Sequence, residues 1–155
     1  MGGIGMKPGI ARILAWCALA CWLASWFLPV LDDYAGWAAF RAAIQGPFRD
    51  PFPTRGEHAI GQILSALTNV VFIAMFLYWI RGRVARPWMF TKVALVCLVL
   101  NLYWLVEMIR AGEPGALLVG YYVWLAAFAL LLATGAISVA SDRRTSKTPT
   151  ADTPS

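Results

Sequence analysis

The stretch Leu100-Asn-Leu-Tyr-Trp-Leu-Val-Glu-Met-Ile-Arg110 places an amide, a carboxylate and a guanidinium inside a long apolar run. In hydrocarbon an unmatched polar group is costly, so Asn101, Glu107 and Arg110 should face protein, cavity water or the membrane interface. The run that contains them has the length of about 20 residues that a helix needs to cross a bilayer. The stretch therefore predicts a membrane helix with polar side chains concentrated towards one end.

The composition of the whole chain agrees with this prediction. The chain has 155 residues, of which 60% are hydrophobic and 14% charged, whereas soluble domains average about 25% charged. Four apolar runs are long enough to span a bilayer, at about 10–31, 59–80, 88–109 and 115–139. We therefore predict an all-α polytopic membrane protein with a four-helix transmembrane bundle over residues 10–140.

The basic residues predict the orientation of this bundle. Nine of them lie on the side of the two termini: Lys7, Arg12, Arg81, Arg83, Arg86, Lys92, Arg143, Arg144 and Lys147. Four lie on the other side: Arg41, Arg49, Arg55 and Arg110. Because lysine and arginine accumulate in cytoplasmic loops, we expect both termini in the cytoplasm and the 32–58 loop outside. The net charge of +5 is thus explained by topology, and we expect no nucleic-acid partner.

The segments outside the spans have distinct compositions. Residues 1–9 are Gly-rich and are expected to form an N-terminal cytoplasmic segment, and the polar, Pro/Thr-rich residues 141–155 a disordered cytoplasmic tail. In the outer loop, Trp37, Phe40 and Ile44 recur at i, i+3 and i+7, which predicts a short amphipathic helix lying in the interface. An irregular loop with scattered aromatic residues is the alternative.

Small and aromatic residues predict how the helices pack and where they sit. Cys17, Cys21 and Ser25 form a small-residue stripe at i, i+4 and i+8 of the first span, which favours close helix packing. Many of the eight tryptophans lie near span ends, as in the aromatic belts at the headgroup level.

Two asparagines lie deeper than the other polar residues. By helix rise, Asn69 is roughly 15 Å and Asn101 roughly 12 Å from the outer end of its span. We expect them to hydrogen-bond across the second and third helices as packing residues, with ligand binding as the alternative. Gln62 and Ser65 share a helical face with Asn69.

A second set of polar side chains is predicted at the outer rim: Glu107, Arg110, His58, Gln62, Tyr121 and Tyr122. Glu107 and Arg110 are spaced for an i, i+3 ion pair. We interpret this set as a candidate ligand-binding site in a shallow, outward-opening polar pocket. The alternative is a rim in which each group meets water or headgroups. Since the chain contains no HExxH, CxxC, GxSxG, P-loop or dinucleotide-binding motif, we predict no catalytic residues, metal or cofactor.

Three short runs carry a resemblance: Ser25-Trp-Phe-Leu-Pro29, Gly36-Trp-Ala-Ala-Phe40 and Gly120-Tyr-Tyr-Val-Trp-Leu125. Together they resemble a loose group of small bacterial four-span inner-membrane proteins without an assigned activity, in which the last helix opens with Gly-Tyr-Tyr-Leu-Trp-Leu. Val123 stands where leucine is more usual. The resemblance covers most of residues 10–140 in layout and implies the four-span fold and a bacterial inner membrane.

Three hypotheses for function follow from these patterns. The first is a non-catalytic accessory or scaffolding subunit that contacts the lipid bilayer and either another integral membrane protein or a second copy of the chain. The alternative is a protein that binds or transports a small molecule or lipid at the outer rim. A third is a lipid-modifying enzyme with Glu57 and His58 as its base.

Overall fold

The computed structural model describes residues 8–31, 34–49, 56–82, 86–112 and 114–145. These residues form five α-helices: α1 Pro8–Ser25, α2 Gly36–Arg49, α3 Gly56–Ile80, α4 Pro87–Arg110 and α5 Val119–Thr145. The prediction of an all-helical chain is confirmed, with one small addition. A short antiparallel hairpin, β1 Pro29–Leu31 and β2 Tyr34–Ala35, separates α1 from α2.

Three of the helices have the length and apolarity of membrane spans. Within the described part of the chain these are Ile60–Ile80 in α3, Pro87–Arg110 in α4 and Val119–Arg143 in α5. Each exceeds the roughly 20 apolar residues that a bilayer requires. The protein is therefore a membrane protein with at least these three candidate spans, and α1 contributes a shorter apolar helix, Gly9–Ser25.

The first helix ends at Ser25, six residues before the end that we predicted at residue 31. The amides of Trp26 and Phe27 close the last turn by donating to the carbonyls of Leu23 and Ala24 at 3.2 and 3.1 Å. Pro29 cannot donate a helical hydrogen bond and disfavours helical geometry in the residue before it. The helix therefore ends before Trp26-Phe-Leu28, and the hairpin begins at Pro29.

The last helix also differs from its predicted bounds, since it begins at Val119 and continues to Thr145. Residues 141–145 were expected to belong to the disordered tail. No proline or glycine interrupts this segment, and the Ser141 hydroxyl donates to the Ile137 carbonyl at 3.0 Å. The helix can therefore continue past the end of the apolar run.

The core is built around α5, which packs closely against both α1 and α4. Ala18, Ala94 and Ala127, one from each of these helices, are fully buried, and such small side chains allow helix backbones to approach. The rest of the core cluster is larger: Trp22, Phe72, Met75, Phe90, Cys97, Phe128 and Leu131. α3 contributes to this core mainly through its long side chains.

Of the predicted small-residue stripe, Ser25 lies on the packing face of α1, but the two cysteines do not. Cys17 is exposed and Cys21 half-buried, whereas the buried positions are Ala15, Ala18, Trp22 and Ser25. A strict spacing of four drifts by about 40° per step around a helix of 3.6 residues per turn. The alternating spacing of three and four stays on one face, so the alanines and Trp22 take the interior.

The hairpin is held against the beginning of α5 by close backbone contact. The Leu118 amide donates to the Val30 carbonyl at 2.9 Å, and the Gly36 amide donates to the Leu28 carbonyl at 3.0 Å. A Cβ atom on Gly120 would lie 2.6 Å from the Pro29 carbonyl oxygen. A glycine at position 120 is therefore required for the hairpin to lie against α5.

We expect Gly120→Ala to lower the free energy of unfolding by about 1–3 kcal/mol, because the added methyl group overpacks against backbone that cannot rotate away. Gly115→Ala is the matched control, since no atom lies within 4 Å of a Cβ built there. Thermal unfolding of the purified variants in detergent measures the difference. Equal melting temperatures for the two variants would contradict the close contact.

Candidate functional site

A cavity of about 520 Å³ lies at one end of the helical bundle. At this end α1 and α4 finish, α3 and α5 begin, and the hairpin is placed, so we call it the hairpin end. The wall contains residues from all these elements, and α2 closes one side with Ala39, Phe40 and Ala43. The cavity thus occupies the space where the helices separate beyond their tightly packed middle.

The wall of the cavity is mostly apolar and aromatic, with a few polar groups. Its aromatic residues are Trp26, Tyr34, Phe40, Trp104, Tyr121 and Trp124, and its other polar residues are Ser25, Gln62, Ser65 and Asn69. Gln62, Ser65 and Asn69 share one face of α3, as their spacing indicated. Among the described residues that line the cavity, none carries a charge.

Asn69 joins three helices at the deep side of the cavity. Its side-chain carbonyl oxygen accepts hydrogen bonds from the indole nitrogens of Trp22 in α1 and Trp124 in α5, each at 2.9 Å. Its amide nitrogen donates to the Ala66 carbonyl at 3.4 Å. Since a carbonyl oxygen has two lone pairs, both acceptor positions of Asn69 are occupied by protein.

Asn101 is fully buried and forms a second polar cluster nearby. Its side-chain oxygen accepts from the hydroxyls of Ser65 at 3.1 Å and Thr68 at 3.2 Å. Its backbone carbonyl accepts from the Tyr121 hydroxyl at 2.5 Å. The side-chain nitrogen of Asn101 has no partner among the described residues. This cluster joins α4 to both α3 and α5.

The hydrogen bond that we predicted between Asn69 and Asn101 does not form. Both asparagines bond between helices, but Asn69 faces the two tryptophans while Ser65 and Thr68 reach Asn101. Similar depth along the two helices was therefore not enough to predict a bond between the asparagines. Asn69 leaves α3 on the side of α1 and α5, whereas Ser65 and Thr68 leave it on the side of α4 and reach Asn101.

The structure divides the predicted rim residues into two groups. Gln62 and Tyr121 line the cavity. Glu107 and Arg110 form the expected i, i+3 ion pair at 3.1 Å, with side chains 21% and 73% exposed, and neither lines the cavity. An exposed pair of this kind contributes little to stability.

The remaining two rim residues are Tyr122, which does not line the cavity, and His58. Tyr122 is exposed and packs edge-on against Tyr121, with ring centroids 5.6 Å apart. His58 belongs to α3, and its side chain lies outside the described part of the structure. The grouping of all six around one ligand stays a prediction.

Two site residues were missed because their type suggested another role. Many of the tryptophans were interpreted as belt residues, yet the indole nitrogens of Trp22 and Trp124 both donate to Asn69 in the interior. The available signal was depth in the predicted spans, since Trp22 and Trp124 each lie nine residues from the nearer end of the runs 10–31 and 115–139. No cluster of three or more His, Cys, Asp or Glu side chains comes together in the described residues.

Comparison with known protein families, curated proteins and solved structures finds no match to this chain. The resemblance to four-span inner-membrane proteins therefore stays a prediction. The chemistry of the cavity wall carries the functional inference.

We expect Asn69→Leu to lower the free energy of unfolding by about 1–3 kcal/mol, because it leaves two indole N–H groups buried without an acceptor. Trp124→Phe should cost less, since Asn69 then keeps its bond to Trp22. Equilibrium unfolding in mixed micelles of the single variants and of the double variant measures both effects.

The double-mutant cycle of Asn69→Leu and Trp124→Phe should give a coupling of about 1 kcal/mol, the size found for hydrogen bonds between membrane helices. Additive effects of the two substitutions would show that the Asn69–Trp124 bond contributes nothing to stability.

Proposed function

We propose that this protein is an integral membrane protein that binds a small apolar or lipid-like molecule in the cavity at the hairpin end. The observation that carries the proposal is the cavity itself. Its volume of about 520 Å³ falls within the roughly 300–1,000 Å³ of ligand sites, which are also mainly apolar with a few polar groups. Of the hypotheses from the sequence, this favours small-molecule or lipid binding.

The covering helix α2 supports this proposal. Phe40 packs against Trp26 with ring centroids 5.1 Å apart, which anchors α2 to the end of α1. The neighbouring positions that face the cavity are alanines, including Ala39 and Ala43. Small side chains there leave open a volume that larger apolar residues would fill.

We infer a four-span arrangement in which α1 is the first span. Its 18 residues rise by about 27 Å, close to the roughly 30 Å hydrocarbon thickness of a bilayer. Close packing on α5 supports the same inference, because α1 accompanies a helix that is long enough to cross.

The distribution of basic residues supports a cytoplasmic location for both termini, with the hairpin end outside. The resemblance carried by the three short runs supports a bacterial inner membrane. The Lys92 ammonium lies 4.8 Å from the Trp88 ring centre, an arrangement suited to a headgroup region at the opposite end. The high amphipathicity of α2 supports a position in the interface.

Labelling of introduced cysteines tests this topology. In a background with Cys17, Cys21 and Cys97 replaced by alanine, we expect Thr54→Cys to react with a membrane-impermeant maleimide on intact cells. Ile4→Cys and Thr148→Cys should react only after permeabilisation, because four spans return the chain to the cytoplasm. Reaction of Ile4→Cys and Thr54→Cys from the same side would show that α1 does not span the membrane.

Filling the cavity tests the binding function. We expect Ala39→Phe to lose a molecule that co-purifies with the wild-type chain in about equimolar amount, because the ring occupies its site. Ala38→Phe is the matched control, since Ala38 is also half-buried in α2 but does not line the cavity. Mass spectrometry of organic extracts from the two purified variants makes the comparison. Equal retention, or no retained molecule in the wild type, would contradict the proposal.

The accessory-subunit hypothesis is a second candidate, supported by the outward side of α2. Trp37 and Ile44 are exposed there, beside Arg41. Aromatic and arginine side chains are common in protein interfaces, so this side suits another integral membrane protein or a second copy of the chain. Purification in mild detergent separates the candidates, since a subunit retains a stoichiometric protein partner and a lipid-binding protein does not require one.

A further inference from the structure

We propose that the ligand of the cavity is electrically neutral and carries a hydroxyl or carbonyl group that hydrogen-bonds to Gln62. This inference rests on the proposed binding function and specifies the chemical class of the molecule. It follows from which polar groups of the wall are already bonded within the protein and which remain open to the cavity.

Most of the donors in the wall are committed within the protein. The Ser25 hydroxyl donates to the Trp22 carbonyl at 2.7 Å, and the Ser65 hydroxyl donates to the side-chain oxygen of Asn101 at 3.1 Å. The Tyr121 hydroxyl donates to the Asn101 backbone. The carbonyl oxygen of Asn69 is saturated by its two indole donors. The wall's side-chain donors without a hydrogen bond to the described residues are the Tyr34 hydroxyl, the indole N–H groups of Trp26 and Trp104, and the Gln62 amide.

Among these groups, Gln62 is the half-buried side chain that can both donate and accept, since Tyr34 is exposed and an indole only donates. It is half-buried, it lines the cavity, and its side chain makes no hydrogen bond to the described residues. Its amide offers two donors and an acceptor, and these atoms are open to the cavity rather than buried. A hydroxyl or carbonyl group of a ligand that displaces water there can restore a hydrogen bond to the amide.

The position of Gln62 determines where in the cavity the polar group of the ligand would lie. Gln62 precedes Asn69 by seven residues of α3, roughly 10 Å by helix rise, and is nearer to the beginning of the helix. The polar group of the ligand would therefore lie towards the hairpin end, with the apolar body against the aromatic residues of the wall.

The absence of charge among the described lining residues favours a neutral molecule. Glu107 and Arg110 are on α4 but pair with each other outside the wall. A charged headgroup inside the cavity would be removed from water without a partner of opposite charge, which is strongly unfavourable. The aromatic residues of the wall also pack against one another, as in the Trp26–Phe40 and Tyr121–Trp124 contacts. They therefore suit an apolar body better than a cation.

Tryptophan quenching by matched amphiphiles tests this proposal. The probes are oleyl alcohol, oleyl sulfate and oleyl trimethylammonium, each brominated across its double bond, added to the full chain in phosphatidylcholine nanodiscs. Bromine quenches tryptophan on contact, and Trp104 and Trp124 line the cavity. The quenching that Ala39→Phe removes and Ala38→Phe retains is the cavity signal.

We expect the cavity signal to saturate at the lowest mole fraction with oleyl alcohol, and at higher mole fractions with either charged probe. Gln62→Leu should weaken the binding of the alcohol roughly three- to tenfold, which corresponds to the loss of one hydrogen bond. Gln62→Glu should shift the preference towards oleyl trimethylammonium, because it places a negative charge in the wall. The melting temperature of each variant checks that the fold is retained.

The outcomes separate this inference from the function on which it rests. No cavity signal with any probe would contradict the proposed binding function itself. A cavity signal that is equal or stronger with a charged probe would overturn the neutral class while leaving a binding site. A preference for the alcohol that Gln62→Leu does not change would overturn the role of Gln62.

Discussion

The arrangement of the helices depends on one carbonyl oxygen in the interior, that of the Asn69 side chain. In a bilayer each polar group must find its partner within the protein, because lipid offers none. Two indole N–H groups from different helices meet this requirement at the same atom. The shared acceptor fixes the rotation of α1 and α5 about their axes relative to α3. These rotations determine which side chains of α1 and α5 face the cavity.

Aromatic packing continues this arrangement away from the cavity. The rings of Trp22 and Phe72 are stacked at 5.5 Å, and Phe128 meets both Phe72 and Trp124 edge-on at 5.3 and 5.5 Å. These large rings hold α3 against α1 and α5 by side chains, whereas α1 and α4 approach α5 through alanines. The bundle is therefore packed closely where α1 and α4 meet α5, and more widely where α3 meets α1 and α5. The cavity lies at the hairpin end of this wider part.

The sequence predicted the all-helical class and three of the apolar spans because hydrophobic run length is a property of composition. It also predicted that Glu107 would pair with Arg110, since both lie on one helix and their spacing determines the distance. It was wrong about the cysteine stripe and about the Asn69–Asn101 bond, which depend on the rotation of each helix. Rotation is set by contacts between distant segments, such as the indole of Trp124 with Asn69. Those contacts cannot be obtained from the periodicity of one helix.

The central position of α5 has a consequence for the order in which the protein is assembled. Synthesis proceeds from the N-terminus, so α1, α3 and α4 are made before α5, the helix against which α1 and α4 pack. Until α5 arrives, Asn69 can receive the indole of Trp22 but not that of Trp124, and the alanine faces of α1 and α4 lack the surface of α5. A ribosome that stalls before residue 119 would leave a set of helices with few mutual contacts, and such a product would be recognisable to membrane quality control. This arrangement of helices is completed only when α5 has been translated.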